Sequence, residues 1–130
     1  MVSRFYSILL VGLGGFIGAI SRYSISLLFG SAKPLQIGTL IVNVLGSFAL
    51  GVLMTFHAHE IINGSLYILF SAGFLGAFTT MSTFAAETMS LTDQSFKLAF
   101  LNFGLMISLV FIGIFLGRLS AQSIIRMQIN

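Results

Sequence analysis

Residues 71–84 read Ser-Ala-Gly-Phe-Leu-Gly-Ala-Phe-Thr-Thr-Met-Ser-Thr-Phe, so two glycines, three threonines and two serines fall near the middle of a long apolar stretch. Thr79, Thr80, Ser82 and Thr83 are nearly consecutive, and a regular helix would point them in several directions. Free backbone carbonyls at such a place hold a cation, and free amides meet an anion. Irregular backbone at membrane depth is tolerated only where protein or a water-lined cavity surrounds it. The segment therefore predicts a helix break around Gly76 to Thr80. The competing arrangement is a straight helix whose hydroxyls bond back to the preceding turn.

Three other polar residues lie inside apolar stretches. Asn43, in Gly38-Thr-Leu-Ile-Val-Asn-Val-Leu-Gly-Ser47, could donate to an anion in a pore or bond across a helix interface. Arg22, in Gly15-Phe-Ile-Gly-Ala-Ile-Ser-Arg-Tyr23, carries a charge that is costly in lipid and usually functional. Snorkelling is the alternative, because Arg22 is only about two turns from the end of its stretch. Glu87 is the one acid inside a stretch, placed to pair with a basic residue or to cap a partner helix. Phenylalanine is abundant at 14 residues. Its positive ring edge can contact an anion, and Phe78 and Phe84 stand out because they lie inside the polar segment.

Enzymatic constellations fail on spacing. Gly12-Leu-Gly-Gly-Phe-Ile-Gly18 has the wrong intervals for a dinucleotide fingerprint and no preceding strand. His57 and His59 are two apart, so a helix would turn them to different faces, although with Glu60 they could meet a metal in a loop. No paired carboxylates or nucleophile–base set is visible. The chain has no cysteine, which excludes disulfides, thiolate metal sites and cysteine catalysis. The chain reads as no enzyme. Its six basic residues, Arg4, Arg22, Lys33, Lys97, Arg118 and Arg126, are scattered rather than clustered, which argues against a nucleic-acid surface.

The elements that must position these residues are set by the solvent. Of 130 residues 57% are hydrophobic and 7% charged, with a mean hydropathy of +1.07. A soluble domain carries about 25% charged residues, so this chain belongs in lipid. Four stretches reach the roughly 20 apolar residues that span a bilayer as a helix: about 5–29, 37–57, 66–89 and 96–119. The first is too long for a signal peptide and contains Arg22. The connections 30–36, 58–65 and 90–95 are short and carry turn residues such as Gly30, Pro34, Asn63, Gly64 and Asp93. The expected fold is all-α, one four-span membrane domain over residues 1–130, with consecutive helices antiparallel and the third broken.

Basic residues barely bias the orientation. Arg4, Arg118 and Arg126 fall on the side of both termini; Lys33 and Lys97, with Arg22 if it faces that way, fall on the other. A chain with so little bias can insert both ways, and two opposed copies could pair as an antiparallel dimer; a single fixed topology is the alternative. Four short helices also enclose too little volume for a roomy solute path, which favours oligomerisation. Gly14 with Gly18, and Gly113 with Gly117, are small-xxx-small pairs that permit close helix contact.

Three segments together resemble the Fluc or CrcB family of small dual-topology fluoride channels: residues 14–23, Gly38-Thr-Leu-Ile-Val-Asn43 with Gly46-Ser47, and Gly73-Phe-Leu-Gly-Ala-Phe-Thr-Thr-Met-Ser-Thr-Phe84 followed by Glu87. The resemblance covers almost the whole chain. It implies a multi-pass protein of a bacterial plasma membrane, forming an antiparallel homodimer with two pores that export cytoplasmic fluoride by passive electrodiffusion. It also implies a structural Na+ at the dimer centre, held by the backbone carbonyls of Gly76 and Thr79 from each copy. Asn43 matches the pore-lining asparagine and Arg22 the arginine near the aqueous vestibule. The pathway would further include Ser82, Thr83 and Ser108.

Two positions depart from the family pattern. The pair of pore phenylalanines falls at Met81 and Phe84, so only the second is kept. The hydroxyl track of the fourth helix keeps Ser108 but has Ile112 one turn later. Met81 as a tolerated substitute, whose polarised methyl group can approach an anion, is one reading of these changes; a heterodimer in which one pore has decayed is a second, and deliberate mutation at Met81 a third. The rival class is a proton-coupled small multidrug transporter, which needs a membrane-embedded carboxylate. A subunit of a larger membrane complex is a third, which leaves the Thr/Ser-rich segment unexplained.

Overall fold

The computed structural model describes residues 4–29 and 37–129. The expected connection 30–36, with Lys33, lies outside the described residues. Helices α1 (Arg4–Phe29) and α2 (Ile37–Ala58) form the first two spans. The third span, Gly64–Thr92, is composite. It consists of α3 (Gly64–Ile68), a π-helical stretch (Leu69–Leu75), α4 (Gly76–Phe78) and α5 (Met81–Thr92). Helix α6 (Phe96–Ile129) forms the fourth. All four spans are long and apolar enough to cross a membrane.

The break falls at the end of the expected window. Thr79 (φ −80°, ψ 155°) and Thr80 (φ −148°, ψ 111°) are both extended, and Thr80 caps α5 by accepting the amide of Thr83 at 3.2 Å. A hydroxyl at this position satisfies one of the amides that a helix start leaves without a partner. The fourth helix is longer than expected, running ten residues past the predicted end at 119. Hydropathy marks the bilayer edge, not the helix end. No glycine or proline follows Gly117 to stop the helix, and Ala121 and Ile125 remain buried along the extension.

Backbones approach closely at glycines, as the sequence indicates, and these contacts lie within the one chain. A Cβ on Gly14 would collide with the carbonyl oxygen of Leu69, and one on Gly18 with that of Phe74. Helix α1 therefore lies directly against the π-helical stretch. Likewise a Cβ on Gly117 would strike the carbonyl of Phe48, and one on Gly51 that of Ile114, which seats α6 on α2. Without a hydrophobic drive between helices in lipid, such close packing supplies the attraction. A small core of Val42, Leu75 and Phe78 fills the space between α2 and the third span, with the rings of Phe74 and Phe78 stacked at 5.4 Å.

The turn after α2 is a Schellman-type cap. Glu60 adopts φ 56°, and the amide of Ile61 reaches back to the carbonyl of Phe56 at 2.9 Å. Asn63 then caps α3 through the Leu66 amide at 2.9 Å. The His57 ring stacks on Tyr67 at 4.3 Å. Together these contacts fix the second and third spans as an antiparallel pair. The outer surface is strongly apolar: Phe5, Phe16, Leu28, Phe96, Phe100 and Phe111 are all exposed, as befits side chains facing lipid.

Candidate functional site: the helix break and its cleft

Asn43 reaches the break from the middle of α2. Its Oδ1 accepts the Thr80 amide at 2.8 Å, and its Nδ2 donates to the Thr80 carbonyl at 3.1 Å. The side chain thus forms a two-point bond with Thr80, one of the two residues whose backbone has left both helices. Gly46, one turn on, permits the approach, since a Cβ there would meet the Thr79 methyl group. A second bond ties the same two elements: the Thr39 hydroxyl donates to Glu87 Oε1 at 2.6 Å. Glu87 therefore takes a threonine hydroxyl, where the sequence suggested a basic residue or a partner helix end.

The break leaves specific carbonyls without the amides a continuous helix would return to them. The Thr80 amide, which would go to Gly76, is bonded to Asn43. The Thr83 amide, which would go to Thr79, is bonded to the Thr80 hydroxyl. The Ala77 carbonyl instead accepts Arg22 Nε at 3.0 Å. Arg22 is thus neither free at the surface nor directed into the cleft; its guanidinium crosses from α1 to the C-terminal end of α4, where cations are favoured by the helix dipole.

A cleft of about 290 Å³ opens beside the break. Of the expected site residues it brings together Asn43, Gly76, Thr79 and Met81. Met81 is 65% exposed, whereas Phe84, one turn on, is 1% exposed and packs on Phe103 at 6.1 Å between centroids. Phe84, Ser82, Thr83, Ser108 and Arg22 do not line this cleft. Ser82 and Ser108 lie exposed on the surface of the chain, and Thr83 is half-buried against the Thr80 hydroxyl.

Sequence reasoning missed several participants. Met106 of α6 lines the cleft, is 3% exposed, and lies 3.6 Å from Asn43 Nδ2 through its sulfur. An apolar-looking methionine 63 residues from Asn43 gives no sequence signal for this contact. Asn102 donates to the Thr88 hydroxyl at 2.8 Å; an amide inside a span was the available clue. Thr39, one turn before Asn43, was another, because the two share a helix face.

The fold and the cleft define a class: a small multi-pass membrane protein whose third span is broken beside a cleft. The chain belongs to the CrcB family, whose sequence model, described as CrcB-like protein, Camphor Resistance (CrcB), matches residues 9–118. Among its relatives is the Fluoride-specific ion channel FluC 1 of Methanosarcina acetivorans, 41% identical over 123 residues, covering 92% of this chain and 93% of the relative. The Fluoride-specific ion channel FluC of Shewanella woodyi is 44% identical over 117 residues, covering 86% of this chain and 93% of the relative.

Proposed function

We propose that this chain forms a fluoride-selective channel that lets cytoplasmic fluoride leave by passive electrodiffusion. The observation that carries the reading is the Asn43 amide, held by the Thr80 backbone at the edge of a cleft inside the span. Fluoride is a small, strongly hydrated anion, so a selective path must replace its water with fixed donors. A rigid amide in a mostly apolar cleft is such a donor, and the relatives named as fluoride-specific channels support the assignment.

The conducting unit in this reading is an antiparallel homodimer of oppositely inserted copies. Supporting it, Ser82 and Ser108 are exposed on one subunit, and Gly12 and Gly104 face open space. A second copy would cover such polar and small surfaces. Met81, exposed on the cleft, would then flank the path with a polarised methyl group, whereas Phe84 would reach it only by turning its ring out from Phe103.

A structural Na+ at the dimer centre fits the residues present. The helical amides of the Gly76 and Thr79 carbonyls are diverted to Asn43 and to the Thr80 hydroxyl, and carbonyl oxygens suit a hard cation. The Gly76 and Thr79 carbonyls would hold the ion, which would supply positive charge to offset theirs. The chain's own part is to keep those oxygens available, through the Asn43 amide and the Thr80 hydroxyl.

Protein reconstituted in liposomes should release fluoride down its gradient and retain chloride, as read by ion-selective electrodes. Equal chloride and fluoride fluxes would refute the channel reading. Proton exchange driven by organic cations, without fluoride flux, would point to a multidrug transporter.

A further inference from the structure

Asn43 holds two amide hydrogens and one carbonyl oxygen, and every one is placed. The oxygen accepts from Thr80 N at 2.8 Å. One N–H donates to Thr80 O at 3.1 Å. This pairing fixes which end of the amide is nitrogen, because a flip would set oxygen against oxygen and N–H against N–H. The remaining N–H meets the Met106 sulfur at 3.6 Å. A thioether is only a weak acceptor. Ser71 and Thr79 on the cleft wall turn their hydroxyl hydrogens to Tyr67 O and Leu75 O, and among the described residues the Met106 sulfur is the acceptor that lies within reach of this N–H.

We propose that the Met106 thioether is the resting partner of the Asn43 hydrogen that an entering fluoride takes over, and that it thereby sets how tightly the anion is held. The inference rests on Asn43 lying in the fluoride pathway. A conducting site must bind strongly enough to admit the ion and weakly enough to release it. A bare buried N–H would grip fluoride, because losing the anion would leave a desolvated donor. A strong oxygen acceptor would keep the hydrogen for itself. Sulfur lies between: it satisfies the donor in the empty state and yields it at small penalty. Both Asn43 and Met106 line the cleft, so the exchange needs no movement of the backbone. Met106 is a positioning residue in this scheme; the donor to the anion is Asn43.

The test is a pair of substitutions with opposite expected effects. Met106→Leu removes the sulfur at nearly constant volume, and Met106→Gln places an amide oxygen at similar reach. Initial fluoride efflux is measured against fluoride concentration in liposomes, per correctly folded dimer as judged by gel filtration. The half-saturating concentration should fall about three- to tenfold in Met106→Leu and rise by a similar factor in Met106→Gln, the range set by one neutral hydrogen bond. The maximal rate in Met106→Leu should fall as release slows. A packing role alone would move both variants in one direction or only reduce the yield of folded dimer. Unchanged half-saturation in both, or shifts of the same sign, overturns the proposal. If Met106→Gln does not fold, Met106→Leu decides alone, and an unchanged or raised half-saturation overturns it. Asn43→Asp separates the two layers. Normal flux in that variant removes Asn43 from the pathway, whereas a blocked Asn43→Asp with an unordered Met106 pair removes this inference only.

Discussion

Asn43→Asp changes one atom of the clamp and leaves the volume unchanged. The retained oxygen can still accept the Thr80 amide, as Oδ1 does now at 2.8 Å. The second oxygen replaces Nδ2, which lies 3.1 Å from the Thr80 carbonyl, so a donor–acceptor contact becomes a repulsive one. The larger effect is on the ion. A carboxylate charge about 4 Å from a passing fluoride raises its energy by about 4 kcal/mol at an effective dielectric of about 20. That corresponds to a roughly thousandfold drop in flux. The assay is fluoride efflux from liposomes, scaled to folded dimer. Asn43→Leu is the neutral companion. It removes the clamp without adding charge and leaves the Thr80 amide unpaired, at about 1–3 kcal/mol of stability, which thermal unfolding in detergent reads. A well-folded Asn43→Asp dimer with normal fluoride flux would refute the reasoning, because no charge could sit beside the path without being felt.

Other substitutions test the packing and the assembly. Gly18→Ala should lower stability by about 1–3 kcal/mol, measured by thermal unfolding, because its Cβ would run into the Phe74 carbonyl. Met81→Phe should preserve or raise fluoride flux, since Met81 is exposed on the cleft, while Phe84→Ile should reduce it severely; a folded Phe84→Ile dimer with normal flux would exclude Phe84 from the pathway. Cysteine placed at Ile61, half-exposed in the turn after α2, should be labelled from both sides of the membrane in about equal amounts because the K/R bias is weak, and one-sided labelling would exclude dual insertion. Replacing sodium with a large organic cation should lower the thermal stability of the dimer, with wild-type behaviour in its absence counting against a bound Na+.

The four spans and the position of the break were legible because they depend on local composition. Twenty apolar residues between turns make a span wherever they occur, and consecutive Thr79 and Thr80 interrupt a helix by their own chemistry. The role of Asn43 was legible only as a choice between an anion donor and an interface bond, and the structure shows it bonded to Thr80 across the interface while still lining the cleft. The π-helical stretch could not be read, because Leu-Phe-Ser-Ala-Gly-Phe-Leu is equally good α-helix. What distinguishes it is Gly14 and Gly18 pressing from α1, some sixty residues away. The glycine pairs were legible as contact surfaces, but their partners depend on tertiary packing. The same holds for Met106, whose importance comes from the hydrogen it faces.

The π-helical stretch also governs how this chain tolerates changes in length. A wide turn is equivalent to one residue inserted into an α-helix, and each residue of an α-helix advances the phase by about 100°. Deleting a single residue between Leu69 and Leu75 would restore regular pitch and counter-rotate the two halves of the span. Tyr67 could then stay stacked on His57, or Phe78 could stay in the core, but not both. Point substitutions there are limited chiefly by size, whereas a single-codon deletion would throw the break out of register with Asn43. This span should therefore keep its residue count through evolutionary drift even where its sequence changes freely.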